Sequence, residues 1–201
     1  VTDYVRLKAL FTHGGIYMDT DVEVVKPLDA LLSYAAFSGY ESTPYISTGI
    51  MGAEKQNDWI AVLLRKYETI RFVKADGSYD LMTNVTRITN WTKELYKTSF
   101  DGKMRILDGN IAFFPFEYLC AKSFQTGEIF KSDETYAIHH FSGSWLSEEA
   151  VKEKELYQKN YLSFRAYVPI ECVASGLARL ISTYKVYGAK ITAKKIIRFI
   201  T

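Results

Sequence analysis

The stretch Gly14-Gly15-Ile16-Tyr17-Met18-Asp19-Thr20-Asp21-Val22-Glu23-Val24-Val25 decides the reading of this chain. Residues 16–18 read as an apolar strand, Asp19-Thr20-Asp21 as a carboxylate turn, and 22–25 as a second extended piece that Lys26-Pro27 stops. Upstream, Thr2 reads as the N-cap of a helix running from Asp3 to His13, with Tyr4, Leu7 and Phe11 on one face. Gly14-Gly15 ends that helix, because glycine takes positive φ at no steric cost.

Outward from this stretch, Leu28 to Leu32 reads as a short helix, and 36–40 and 46–53 read as strands. Trp59 to Arg71 and Asn84 to Lys97 have helical spacing. Met104 to Leu107 and Ala112 to Phe114 are short strands, and Thr135 to Phe141 is a longer one. From Glu148 the chain turns helical, through Lys159 and again from Val173 to Tyr187. Strands alternating with helices give an α/β domain with a helical C-terminal extension, divided as 1–147 and 148–201.

The 201 residues are 48% hydrophobic and 24% charged, which excludes wholesale disorder, collagen and a disulfide scaffold. Cys120 and Cys172 are the only cysteines and read as two thiols suited to a reducing compartment. No run is long and apolar enough to span a membrane, and no signal peptide is visible. The sequons at Asn84 and Asn90 are therefore read as chance. The net charge of +2 hides an asymmetry: beyond Glu171 there is no acid, while Arg179, Lys185, Lys190, Lys194, Lys195 and Arg198 are basic.

Asp19 and Asp21 stand two apart at a strand end, so their side chains leave on the same side. Ligands of open α/β sheets gather at strand ends, and two carboxylates there suit a hard divalent cation, Mg²⁺ or Mn²⁺. An EF-hand would need glycine where Val24 stands. A phospho-aspartyl phosphatase would need Thr or Val where Glu23 stands. A nucleotide-sugar transferase needs the carboxylate pair plus hydroxyl-binding groups. Asp3 and Arg6, three apart on one helix face, supply an acceptor and a donor. A phosphohydrolase with Asp19 as nucleophile and a non-catalytic carbohydrate-binding module stay as alternatives.

Thr2-Asp3-Tyr4-Val5-Arg6, the Gly14 to Asp21 stretch and Lys26-Pro27-Leu28 together resemble the pattern of glycosyltransferase family 32. That group includes capsular and lipooligosaccharide transferases and Golgi mannosyltransferases, and the order of these residues also resembles the glucosylating clostridial toxins. Ile138-His139-His140-Phe141-Ser142-Gly143-Ser144-Trp145 resembles the family's closing segment, so the resemblance covers 2–147.

The resemblance implies a GT-A-like, Rossmann-type mixed sheet flanked by helices. It also implies a nucleotide-diphosphate sugar donor (UDP- or GDP-linked), Mn²⁺ or Mg²⁺, and transfer with retention to a glycan or lipid-linked acceptor in surface polysaccharide synthesis. Asp3 and Arg6 would bind donor sugar hydroxyls, and Tyr17 would line the donor pocket. Asp19 would contact ribose and sugar, Asp21 would ligate the metal, and Ser144 and Trp145 would close over the diphosphate. His139 would approach the metal from the other side, with His140 as the alternative, because adjacent strand residues point oppositely. Ser47 and Thr48 would face the transferred sugar, and Thr83 and Asn84 the acceptor. The family's strands for the nucleotide base would precede the Asp3 helix, where this chain begins at Val1.

At the C-terminus, Ala193, Ile196, Ile197 and Ile200 recur at helical spacing opposite Lys190, Lys194, Lys195 and Arg198. This basic amphipathic end offers a peripheral contact with an anionic membrane. The expected location is cytoplasmic, on the inner face of a bacterial membrane. No nucleic-acid reading motif accompanies the charge.

Overall fold

The computed structural model describes residues 2–144 and 146–200, with side chains described through residue 195. Two compact units emerge, one holding residues up to 121 together with 130–140, the other 122–129 with residues from 141 onward.

The first unit is built on a five-stranded mixed sheet in the order β1-β4-β3-β6-β5. Its strands are β1 (Gly15–Met18), β3 (Ala36–Ser42), β4 (Tyr45–Ala53), β5 (Arg105–Leu107) and β6 (Ile111–Phe114). Only β3 and β6 run parallel; the other pairs are antiparallel. A separate two-stranded ribbon joins β2 (Val22–Val24) to β7 (Ala137–His139).

Both sheet faces are covered, which is why β6 reads as an unbroken apolar run. Ile111 and Phe113 enter a core with Met51, Tyr40, Trp59, Ile60, Leu63 and Ile88, while Ala112 and Phe114 enter a second core with Phe37, Ile50 and Leu119. The first core is roofed by α1 (Thr2–His13), α2 (Asp58–Glu68) and α3 (Asn84–Tyr96). The second lies under the 3-10 helix Asp29–Ser33, α4 (Phe116–Leu119) and β7. The mixed α/β architecture is the one read from the sequence.

Local differences have simple causes. Thr2 already lies within α1. The expected strand over Thr135 to Phe141 shrinks to Ala137–His139, because its partner β2 offers three residues. Between α2 and α3, where no element was expected, residues 72–80 form a small hairpin with Val73 bridged to Tyr79.

The second unit is a helix pair, α5 (Glu148–Arg165) and α6 (Glu171–Ile200), packed through Tyr161, Ala174 and Ala178. The helix read as stopping at Tyr187 continues to Ile200 across a break at Gly188, where φ is 74° and ψ is 177°. In the amphipathic end, Ala193 is exposed and Thr192 buried. Lys195 turns to Glu153, 2.9 Å away, and lies over the Tyr187 ring. The side chains of Ile196, Ile197, Arg198 and Ile200 lie outside the described residues.

Candidate functional site

Arg6 is the hub of the site. It projects from the first turns of α1 and is 8% exposed. Its Nη1 donates to the Thr48 carbonyl at 2.5 Å and lies 3.4 Å from Asp19 Oδ1. Its Nη2 lies 3.3 Å from Asp3 Oδ1, and the guanidinium sits over the Tyr17 ring, 4.8 Å from its centroid. A cation buried this deeply is stable only when paired, and Asp3 and Asp19 pair it. Arg6 thereby fixes the orientation of both carboxylates.

Asp19 leaves the end of β1, with its backbone N–H donating to the Gly49 carbonyl at 2.8 Å. The Tyr17 hydroxyl donates to Asp19 Oδ1 at 2.6 Å. Burial and that bond to a carboxylate push the Tyr17 phenol up to about 12. Asp19 Oδ1 is thus committed to Tyr17 and Arg6, while Oδ2 faces His139 at 3.9 Å.

His139 arrives on β7, opposite Val22 in the ribbon, with its N–H bonded to the Cys120 carbonyl. Its Nε2 lies 3.2 Å from Asp21 Oδ1. The imidazole lies flat against Gly49, where a Cβ would come within 2.6 Å of Cε1 and 2.7 Å of Nδ1. Glycine inside a strand often marks such a close approach, and here it makes room for the ring. Burial lowers the His139 pKa against the pull of Asp21 and Asp19, so the ring is neutral at physiological pH and presents a lone pair.

Asp19, Asp21 and His139 each offer one ligand atom, and these atoms all lie within 4.8 Å of one another. Two carboxylates and a neutral imidazole fit a divalent cation. His140 turns the other way: its Nε2 lies 2.8 Å from Glu23 Oε2 at the surface. The strand alternation that left the two histidines open is resolved by the register of β7 with β2.

The other expected site residues divide. Thr48 reaches the site through its carbonyl. Ser47 is fully buried within β4, its Oγ accepting from the Gly49 N–H. Thr83 caps α3 through the Thr86 N–H, and Asn84 Oδ1 accepts the Tyr67 hydroxyl. Ser144 belongs to the second unit. Trp145 lies outside the described residues.

Two groups escaped the sequence reading. Glu41, near the end of β3, is raised to about 7 by burial and then by the charge of Asp19, so it titrates near neutrality beside the site. Its only signal was a charge within a buried strand. Tyr67 of α2 is raised by burial and feels Asp3, Arg87 and Arg6, which places the start of α3 at the Asp3 edge of the site.

Residues 1–38 match the model of a family described as the glycosyltransferase sugar-binding region containing DXD motif. Inositol phosphoceramide mannosyltransferase 3 of Schizosaccharomyces pombe is 36% identical over 70 residues, which cover 35% of this chain and 20% of that protein. Glucan organizing enzyme 1 of Cryptococcus neoformans var. grubii is 48% identical over 42 residues, 21% of this chain and 12% of that protein. The chain thus matches a fifth or less of the length of these curated relatives. No solved structure matches it. The segment matched by that family model holds Asp3, Arg6, Asp19 and Asp21.

Proposed function

We propose that this protein is a metal-dependent retaining glycosyltransferase. It moves a sugar from a nucleotide-diphosphate donor to a hydroxyl of a glycan or lipid-linked acceptor. The observation that carries the reading is the convergence of Asp19, Asp21 and His139 beside the Arg6–Asp3 pair, within the segment that matches the sugar-binding region. The name of the first relative pairs mannosyl transfer with a lipid acceptor, inositol phosphoceramide, which favours a lipid-linked acceptor here.

Mn²⁺ or Mg²⁺ held by Asp21 and His139, with Asp19 beside them, would neutralise charge on the departing diphosphate. The chain's own residues do the rest. Asp3, partly exposed, accepts hydrogen bonds from donor sugar hydroxyls. Arg6 holds Asp3 and Asp19 in place, so their geometry is set before the donor arrives. In the transfer, the bond from the anomeric carbon to the diphosphate oxygen breaks and a bond to the acceptor oxygen forms. The acceptor proton passes to the departing phosphate. The transition state resembles an oxocarbenium ion.

The test is nucleoside diphosphate release from UDP- and GDP-sugars with Mn²⁺, with and without chelator. Metal-dependent hydrolysis of at least one donor is expected, and hydrolysis of none overturns the reading. Phosphate release from simple phosphomonoesters, with no use of nucleotide sugars, would assign Asp19 a nucleophilic role instead.

A further inference from the structure

Residues 70–82, between α2 and α3, show more large apolar surface than their length warrants. Phe72, Val73, Tyr79, Leu81 and Met82 are exposed by 62, 56, 60, 80 and 53%. Clusters of this kind on a soluble surface mark contact sites. The segment is a built element. Lys74 N–H donates to the Ser78 carbonyl at 2.8 Å, Asp80 N–H to the Phe72 carbonyl at 2.8 Å, and Gly77 turns the chain at φ 81°. The Phe72 and Tyr79 rings stack at 5.1 Å between centroids, with planes 16° apart. Asp80 ties the hairpin to α3 through the buried Arg87, 2.6 Å away.

The hairpin is rooted on the helices next to Asp3 and Arg6. Asp80 pairs with Arg87 of α3, Tyr67 of α2 bonds Asn84 at the start of α3, and Tyr67 packs on the same core as Tyr4 of α1. Its chemistry selects among occupants. A glycan needs polar partners, but Asp76 is taken by the Ser78 N–H and hydroxyl, and Asp80 by Arg87 and the Met82 N–H. Leu81, Met82 and Val73 offer nothing to sugar hydroxyls and everything to acyl chains. The apolar residues stand on an open hairpin, with exposed Arg71 and Lys74 beside them to meet phosphate headgroups. Aromatic rings flanked by basic side chains suit the interface of an anionic bilayer.

We propose that the 70–82 hairpin is a membrane-surface anchor that holds the Asp3 edge of the site against an anionic bilayer. The purpose assigned to it, bringing the site to a lipid-linked acceptor, rests on the transferase reading; the vesicle measurement does not.

The experiment is flotation of the full chain with phosphatidylcholine vesicles that contain phosphatidylglycerol. Four proteins are compared: wild type, Phe72→Ser/Tyr79→Ser/Leu81→Ser, Arg71→Gln/Lys74→Gln, and a chain ending at Gly188. The triple variant should lose vesicle partitioning by about tenfold or more, the weight of two or three apolar side chains leaving a bilayer. Its metal-dependent donor hydrolysis and thermal unfolding should match wild type. The charge variant should bind less to these vesicles and equally to pure phosphatidylcholine. Absence of wild-type flotation, full binding by the triple variant, or loss only in the shortened chain overturns the proposal. Should the triple variant fail to fold, Phe72→Trp replaces it: its emission should shift to the blue on vesicle addition, and an unshifted spectrum overturns the anchor. Donor hydrolysis failing in wild type would instead overturn the transferase reading while leaving flotation to be judged by itself.

Discussion

In the sheet unit, Arg6 and His139 lie buried against Asp3, Asp19 and Asp21, and carboxylates outnumber the cation that holds them. In the helical unit, polar groups meet neutral or oppositely charged partners. Glu153 accepts from Thr183 at 2.5 Å and from Lys195 at 2.9 Å, Asn160 donates to Ser182 at 3.0 Å, and Tyr157 meets Ser175 at 2.9 Å. Burial works against the Glu153 charge, yet the bonds from Thr183 and Lys195 hold its carboxyl below the usual range. Matched polar pairs serve packing; carboxylates crowded in excess around one cation leave ligand atoms for a second, bound cation. The contrast separates a structural network from a binding site better than the count of charges in either.

The sharpest way to break this comparison is Asp21→Asn. Donor hydrolysis should fall by about 100-fold or more while thermal unfolding of the metal-free protein stays level or rises, since one of two neighbouring like charges is gone. A wild-type rate would remove Asp21 from the metal site. Gly49→Ala should act nearly as strongly, although it changes no polar group. The added Cβ, 2.6 Å from the His139 ring, must displace the imidazole. Mn²⁺ affinity by calorimetry should weaken by about tenfold or more, whereas His140→Ala should stay within about twofold. Equal effects of the two would dissolve the distinction between the histidines.

Glu41→Gln sharpens the electrostatic side. The folded Glu41 keeps its proton to about 7, against 4.5 for an ordinary glutamate, so between these the folded state binds more protons than the unfolded. Stability therefore falls as pH rises through that window, and the cost is complete above the folded value. The Gln variant should gain about 1–3 kcal/mol over wild type in urea unfolding above roughly pH 8 and nothing below about pH 4. A gain independent of pH would point to packing instead. Smallest is Lys195→Ala, expected to cost about 1 kcal/mol or less in the helical unit and to leave donor hydrolysis unchanged.

Much of the site's first half could be read from the sequence because it is local. A helix stop at Gly14, a strand over 15–18 and Asp3 three residues before Arg6 are set by neighbours in the chain. The strands read at 36–40 and 46–53 were legible for the same reason and are found at 36–42 and 45–53. The second half depends on pairing across the chain. Which histidine faces the carboxylates follows from Val22 lying opposite His139, a register no pattern near residue 139 records. Nothing near Gly49 in the sequence announces the His139 ring that it accommodates. Glu41 was hidden because its burial depends on what packs over the end of β3 and not on the residues beside it in the chain. The 72–80 hairpin escaped because its few pairings lack the alternation that announces a strand.

The ribbon of β2 and β7 has one more consequence. Three residues paired with three make a sheet of marginal stability by itself. Its ends carry Asp21 on one strand and His139 on the other. A cation gripped by both would act as a clasp across a loop of more than a hundred residues, closing the chain much as a crosslink does. Loading the ion then becomes a folding event: amide hydrogens of residues 137–139 should exchange slowly in the loaded protein and quickly once chelator opens the clasp.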